Sequence, residues 1–290
     1  MMVRKKFNVW FFLKVFFIVV TSFLFILPLW LTLTASFESS MSFTKNGYSL
    51  IIHEFSAVSY EKLFGDKLFW SSFFNSFWVT IVTVVLSVVV NTLTAYVLHK
   101  KEIPFHKALN IIFVITLFFN AGMIPTYLVI KGLGMTDSFL ALTIPPVLGV
   151  YNIILIRNYL YSLPTALEEA ALIDGANHFQ VLWSVIVPIS KPIIITTALM
   201  ILIAKWNSWM DIMLYISKTE EGRKFWTVQY YLRYLREAVD AMNVDSSGNV
   251  LQSEQILAAS IIITVLPVAL LFPMLQKYFA NGIAVGAVKG

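Results

Sequence analysis

Residues 73–98 read FFNSFWVTIVTVVLSVVVNTLTAYVL, without one charged side chain. At about 1.5 Å of rise per residue, a helix of roughly 20 apolar residues crosses a hydrocarbon core about 30 Å thick. This stretch is long enough with residues to spare. Lipid offers the backbone no hydrogen-bond partner, so a spanning segment must be a helix or part of a closed barrel. Barrel strands alternate apolar and polar positions, and here Val, Ile and Phe come in runs. The stretch therefore reads as a membrane helix, and it sets the class: an all-α integral membrane protein.

Five further blocks of the same kind lie along the chain: about Trp10–Thr34, Ala108–Ile130, Phe139–Leu160 with Pro145, Pro146 and Gly149, Val185–Lys205 entered through Pro188 and Pro192, and Ile256–Leu275 with Pro267 and Pro273. Six spanning helices are expected. The composition agrees, because 58% of residues are hydrophobic and 13% are charged, too few charges to clothe a soluble protein of this length. Arg4, Lys5 and Lys6 precede the first block as in a signal peptide, but the apolar run is longer than a signal core. With the N-terminus in the cytoplasm, the inner side collects eleven basic and four acidic residues, and the outer side ten basic and twelve acidic. That obeys the positive-inside bias, so both termini are expected inside. Two outer loops follow, about 35–72 and about 206–255. In the second, Trp226, Tyr230, Tyr231, Tyr234 and Leu235 are spaced for one helix face, suiting a helix on the membrane surface or a docking element.

One inner stretch breaks the apolar pattern. Residues 162–188 read SLPTALEEAALIDGANHFQVLWSVIVP. Ser162 can cap a helix with Pro164 in its first turn, or Thr165 and Glu168 can form a capping box. Leu163, Leu167, Ala170 and Ala171 fall on one side. Gly175 follows Asp174 where a left-handed residue would end the helix. Asn177 onward starts a second helix leading into the fifth block.

Glu169, Ala170, Ala171 and Gly175, with Val185, Val187 and Pro188 at the far end, resemble the EAA motif of permease subunits of bacterial ABC importers. Val185 and Val187 stand where Ile and Leu are usual. FNAGMIPTYLVIKGLGM (119–135), AKWNSWMDIMLYI (204–216) and QKYFANGIAVGAVKG (276–290) are similar to the MalG-type sugar permeases, most of all the subgroup paired with Lpl- and Ytc-type permeases of Gram-positive bacteria. The resemblance covers most of the chain. It implies the ABC type I importer permease fold, with residues 1–72 as an N-terminal helix and outer loop and 73–290 as a five-helix core. It also implies a cytoplasmic coupling helix at about 163–175 and a C-terminal tail, 276–290, of which Asn281–Gly290 reaches the ATPase.

By the same resemblance the chain is one of two related permeases in the bacterial cell membrane. Two ATPase subunits stand beneath the pair, and a lipid-anchored extracellular sugar-binding protein delivers an oligosaccharide. ATP and magnesium belong to the ATPase, because this chain lacks a G-x-x-x-x-G-K-[ST] loop, and no cofactor is expected here. Glu169, Ala170, Ala171, Asp174 and Gly175 are the expected coupling residues. Polar groups within spans are candidates for a substrate path, and Asn75, Asn120, Trp206, Asn207, Trp209 and Asp211 are the candidates chosen. Catalysis and metal binding are not expected: the chain has no cysteine, and its four His, at 53, 99, 106 and 178, are scattered. Nothing calls for nucleic acid, since basic loops suffice to explain the net charge of +5. Two alternatives stay open: the same architecture importing a non-sugar solute, and a stand-alone secondary transporter.

Overall fold

The computed structural model describes residues 9–242 and 250–287. Arg4, Lys5, Lys6 and Lys289 lie outside the described residues, as do the last three positions of the tail. The described residues are helical apart from turns and one isolated antiparallel bridge between Glu38 and Phe55. In chain order the helices are α1 Val9–Ser36, α2 Ser40–Asn46, α3 Val58–Gly65, α4 Lys67–His99, α5 His106–Phe118, α6 Met123–Gly132, α7 Phe139–Thr143, α8 Val150–Leu160, α9 Ala166–Ile173, α10 His178–Val181, α11 Val187–Ile189, α12 Lys191–Trp206, α13 Met210–Tyr215, α14 Glu220–Arg223, α15 Val228–Met242 and α16 Val250–Ala287. Leu182–Ile186, between α10 and α11, form a π turn.

Among the described residues three helices are long and apolar enough to cross a membrane: α1, α4 and the Glu254–Leu271 part of α16. Two bent pairs raise the number to five, α5 with α6 at 114° and α10–α11 with α12 at 80°. Three of the six expected blocks are bent or broken along their length. Between α5 and α6 the chain turns at Gly122, which holds φ +87°, while the Asn120 side-chain oxygen accepts the Gly122 amide at 2.8 Å. Residues 139–160 are not one helix. Pro145 and Pro146 supply no amide hydrogen to continue the helix, so α7 stops and α8 begins only after Gly149. The fifth block begins in the π turn and bends at Ser190, just ahead of Pro192.

The chain forms two compact units. The first holds residues to Lys67 with Leu232–Leu266. Its α1 is apolar all round, and none of its most hydrophobic window is buried, as for a helix that faces lipid. Beyond α1, Glu38 is 4% exposed. Its carboxylate accepts the Ser42 hydroxyl and the backbone amides of His53 (3.1 Å) and Glu54 (3.3 Å). Burial pushes that carboxyl up, but these donors outweigh it and hold it below its ordinary value. The Gln255 amide reaches the Glu38 carbonyl at 2.7 Å, and the Ser40 hydroxyl reaches the Gln255 side-chain oxygen at 2.8 Å.

The second unit holds Leu68–Tyr231 and the chain from Pro267, and α4 is its mast. Ser72, Ser76, Thr80, Thr83, Ser87, Asn91 and Ala95 recur every three or four residues, and all are buried. The polar stripe of the opening stretch therefore faces protein, while Phe74, Phe77, Val85 and Val89 face outward. Helices in lipid meet through small and hydroxyl-bearing residues, which let backbones approach closely. One end of α4 packs with α8, α10, the π turn and α12 through Ala95, Leu98, Ile153, Ile156, Leu182 and Ile193. The other end packs with α7, α13 and the segment entering α15 through Val79, Leu142, Ile212 and Trp226. In that segment Trp226, Tyr230 and Tyr231 are buried in this unit, not spread on a surface.

Candidate functional site

The acidic segment forms a helix, a turn and a second helix. Its start differs from both expected caps. The Ser162 hydroxyl donates to the Tyr159 carbonyl at 2.6 Å, and Thr165 sits at the N-cap with helical dihedrals and no side-chain bond to the helix. The reason is that Leu163 and Thr165 already belong to tight turns, seen in Leu163 N–H to Leu160 O at 3.1 Å and Glu168 N–H to Thr165 O at 3.0 Å. The capping box lies instead at Asn177 and Gln180, with reciprocal bonds of 2.9 and 2.8 Å that start α10.

Helix α9 ends as its glycine indicates. Gly175 has φ +87°. Its amide bonds the Leu172 carbonyl at 3.0 Å, and the Ala176 amide bonds the Ala171 carbonyl at 3.0 Å. This is the Schellman arrangement, which satisfies the last carbonyls of a helix. A β-carbon at Gly175 would meet nothing within 4 Å, so the requirement lies in the backbone dihedral and not in space.

Two faces of α9 differ sharply. Leu163, Ala171 and Ala176 pack against the core below. Glu168 turns the same way and pairs with Lys100, just beyond the end of α4, with His99 Nε2 at 4.0 Å from its other oxygen. Burial pulls the Lys100 ammonium down, and the Glu168 carboxylate more than reverses this, raising it above its ordinary value. The Leu98 carbonyl beside them accepts the Tyr161 hydroxyl at 3.3 Å and the Asn110 amide at 3.4 Å. The outer face carries Glu169, Ala170, Leu172, Ile173, Asp174 and Gly175, all exposed, with Ile173 86% exposed. Leu167 and Ala170, expected on the face of Leu163 and Ala171, stand on this outer side. Leu163 precedes the helix, so helical spacing does not carry across 163–165. Phe179, 65% exposed, stands edge-on to Trp183 nearby, with ring centroids 6.1 Å apart.

A second candidate is a cleft of about 350 Å³ among α4, the 144–149 break, α8, the end of α12 and α13. The break itself makes it. The Gly149 amide donates to Asn91 Oδ1 at 3.1 Å, and a β-carbon there would come within 2.7 Å of Asn152 Nδ2. The Gly149–Asn91 bond ties the break to α4, and Pro146, Tyr151 and Asn152 stand on the cleft wall. Opposite, Lys205 Nζ bonds Asp211 Oδ2 at 2.6 Å, and the Ser208 hydroxyl bonds the same oxygen at 2.8 Å. The Lys205 side chain is 6% exposed and Asp211 31%.

Of the residues chosen from sequence for a substrate path, only Asp211 lines this cleft. Asn75 donates to the carbonyls of Lys224 (2.7 Å) and Trp226 (3.1 Å), joining α4 to the segment before α15. Asn120 makes the α5–α6 turn. Trp206 is buried edge-on to Phe73. Asn207 bonds the Ile203 carbonyl at 2.9 Å at the end of α12, and Trp209 packs on the cluster around Val79. Lys205, Thr83, Tyr151 and Ser208 also line the cleft and are not among the residues chosen from sequence. A lysine closing an apolar run was the signal for Lys205; the others needed the fold. No group of three or more metal-ligating side chains occurs among the described residues.

Three comparisons bear on this geometry. The sequence profile of the family described as "Binding-protein-dependent transport system inner membrane component" matches residues 68–285. The polygalacturonan/rhamnogalacturonan transport system permease protein YtcP of Bacillus subtilis is 32% identical, over 91% of this chain and 93% of that protein. Protein LplC of Bacillus subtilis is 34% identical, over 91% and 90% respectively. Among solved structures, a bacterial ABC transporter involved in import of the acidic polysaccharide alginate aligns with a TM-score of 0.82 and 28% identity, covering 96% of this chain and 99% of that one.

Proposed function

We propose a function from one premise: the chain belongs to the family of binding-protein-dependent transport system inner membrane components. It is a permease subunit of an ABC importer, and its cargo is an oligosaccharide, as the names of its relatives support. It works in a bacterial cell membrane with both termini inside, beside a second homologous permease, above two ATPase subunits and below an extracellular sugar-binding protein. ATP and magnesium are held by the ATPase. In this reading the broken 139–160 block completes the sixth crossing.

The placement of α9 carries this reading. Its inner face is fixed to α4 by the Glu168–Lys100 pair and to the core by Ala171. Its outer face is bare, with Glu169, Ala170 and Asp174 around the protruding Ile173. A rigid mount below and small side chains above suit a helix that is gripped by another protein and moved as a body. ATP binding draws the two ATPases together, the gripped helices follow, and the permease pair opens outward; hydrolysis returns it. The ligand-driven shift equals the difference in ATPase contact between the two packings.

Expression of the chain with its chromosomal neighbours tests this. The chain should purify with an ATPase and a second permease, and oligosaccharide with binding protein should stimulate ATP hydrolysis by that complex. Sugar-stimulated hydrolysis by this chain alone would overturn it.

A further inference from the structure

We infer that the Lys205–Asp211 pair is the acid-sugar reader of the cleft, and that the oligosaccharide it passes carries carboxylate groups. This rests on the oligosaccharide reading above and names the charge of the cargo.

The cleft volume falls within the range of small-molecule pockets, about 300–1,000 Å³. Tyr151 offers a flat face, and Thr83, Asn152 and Ser208 offer hydrogen-bonding groups. Thr83 has no hydrogen-bond partner for its buried hydroxyl among the described residues. That set would be enough for a neutral sugar. Lys205 exceeds it. Lys205 stands one residue before the end of α12 with its side chain 6% exposed, and among the described residues it is the only basic side chain on the wall. Its ammonium has three donors, and Asp211 Oδ2 takes one at 2.6 Å. Asp211 is the more exposed partner, and Ser208 also holds its oxygen. An incoming carboxylate can therefore take the remaining ammonium donors, or replace Asp211 while Ser208 keeps it satisfied. Charge-assisted bonds of this kind are about twice as strong as neutral ones. A passing substrate needs a contact that can be made and released, and exchange between two carboxylates provides that.

The test is uptake by the complete complex in proteoliposomes with saturating binding protein. The probes are a galacturonate trisaccharide and the same trisaccharide with its carboxyls methyl-esterified. Lys205→Met should raise the KM for the acidic sugar about tenfold or more and leave the ester within about twofold of the unmodified chain. Asp211→Asn frees the ammonium, so it should hold or lower the KM for the acidic sugar. Lys205→Arg keeps the charge and should keep most of the acid uptake. If Lys205→Met and Asp211→Asn impair both sugars alike, the pair is a structural brace and the inference fails. It also fails if the unmodified complex carries the ester but not the acid. If the ester is not carried, the opposed effects of the two variants on the acid decide. A complex that carries neither trisaccharide nor any neutral oligosaccharide contradicts the oligosaccharide reading itself.

Discussion

Three residues show what single side chains decide. Gly175 was legible, because a glycine after an acidic, alanine-rich helix can hold a positive φ, and it does. Glu168 was legible only as a first-turn acid. Its partner Lys100 is 68 residues away in sequence, and nothing local announces it. Replacing Glu168 with Gln leaves the buried Lys100 ammonium unpaired, which costs about 3–5 kcal/mol where such a pair is buried, and less here because both partners keep some solvent contact. The expected outcome is a lower melting temperature and a coupling segment more open to protease at 166–181; an unchanged digestion pattern would refute the mount. Glu38 is the third. Its folded carboxyl titrates below its unfolded value of 4.5, so its contribution is complete above that pH and is lost as the pH falls through the folded value. The stability gap between the parent and Glu38→Gln should therefore narrow as melting is followed from pH 7 down to pH 4. A gap that does not change with pH would show that the carboxylate is not what holds the 37–56 loop.

At the scale of elements, hydropathy found the blocks and missed their breaks. The run 73–98 became α4 because its Ser, Thr and Asn fall on one stripe, and the stripe says which face packs. The blocks at 108–130, 139–160 and 185–205 are as apolar, yet each is bent or split. The signals were present as Gly122, Pro145–Pro146 and Ser190–Pro192, but a window average dilutes two residues among twenty. The capping box shows the same limit, since Thr165–Glu168 fits the pattern and Asn177–Gln180 forms the bonds. The stripe yields a prediction. Ala95 is fully buried where α4 meets α8 and α10. Ala95→Leu should destabilise by about 1–3 kcal/mol through overpacking, whereas Val97→Leu, at a nearby exposed position, should be nearly neutral by melting temperature. Equal effects would mean that the packed face of α4 is misassigned.

For the whole molecule, the fold class and the family could be read from the sequence, while the cleft could not. Its walls come from residues as far apart as Thr83 and Asp211, and only one of six residues chosen by polarity lies on it. The helix and glycine turn of the EAA-like segment were readable because they are local, lying within residues 166–175. The topology proposed from loop charge is easy to check, because the sequence has no cysteine. Glu102→Cys should label only from inside the cell and Glu221→Cys only from outside, both being exposed positions; the reverse pattern would invert the whole assignment. The central claim is that α9 transmits the ATPase stroke through a turn whose positive φ at 175 favours glycine. A β-branched residue in the left-handed region costs about 1–2 kcal/mol and should unseat the turn without emptying the core. The direct measurement is oligosaccharide uptake per ATP hydrolysed by the reconstituted complex carrying Gly175→Val. Uptake should fall about tenfold or more while ATP hydrolysis persists, and uptake per ATP equal to that of the unmodified complex would contradict the account.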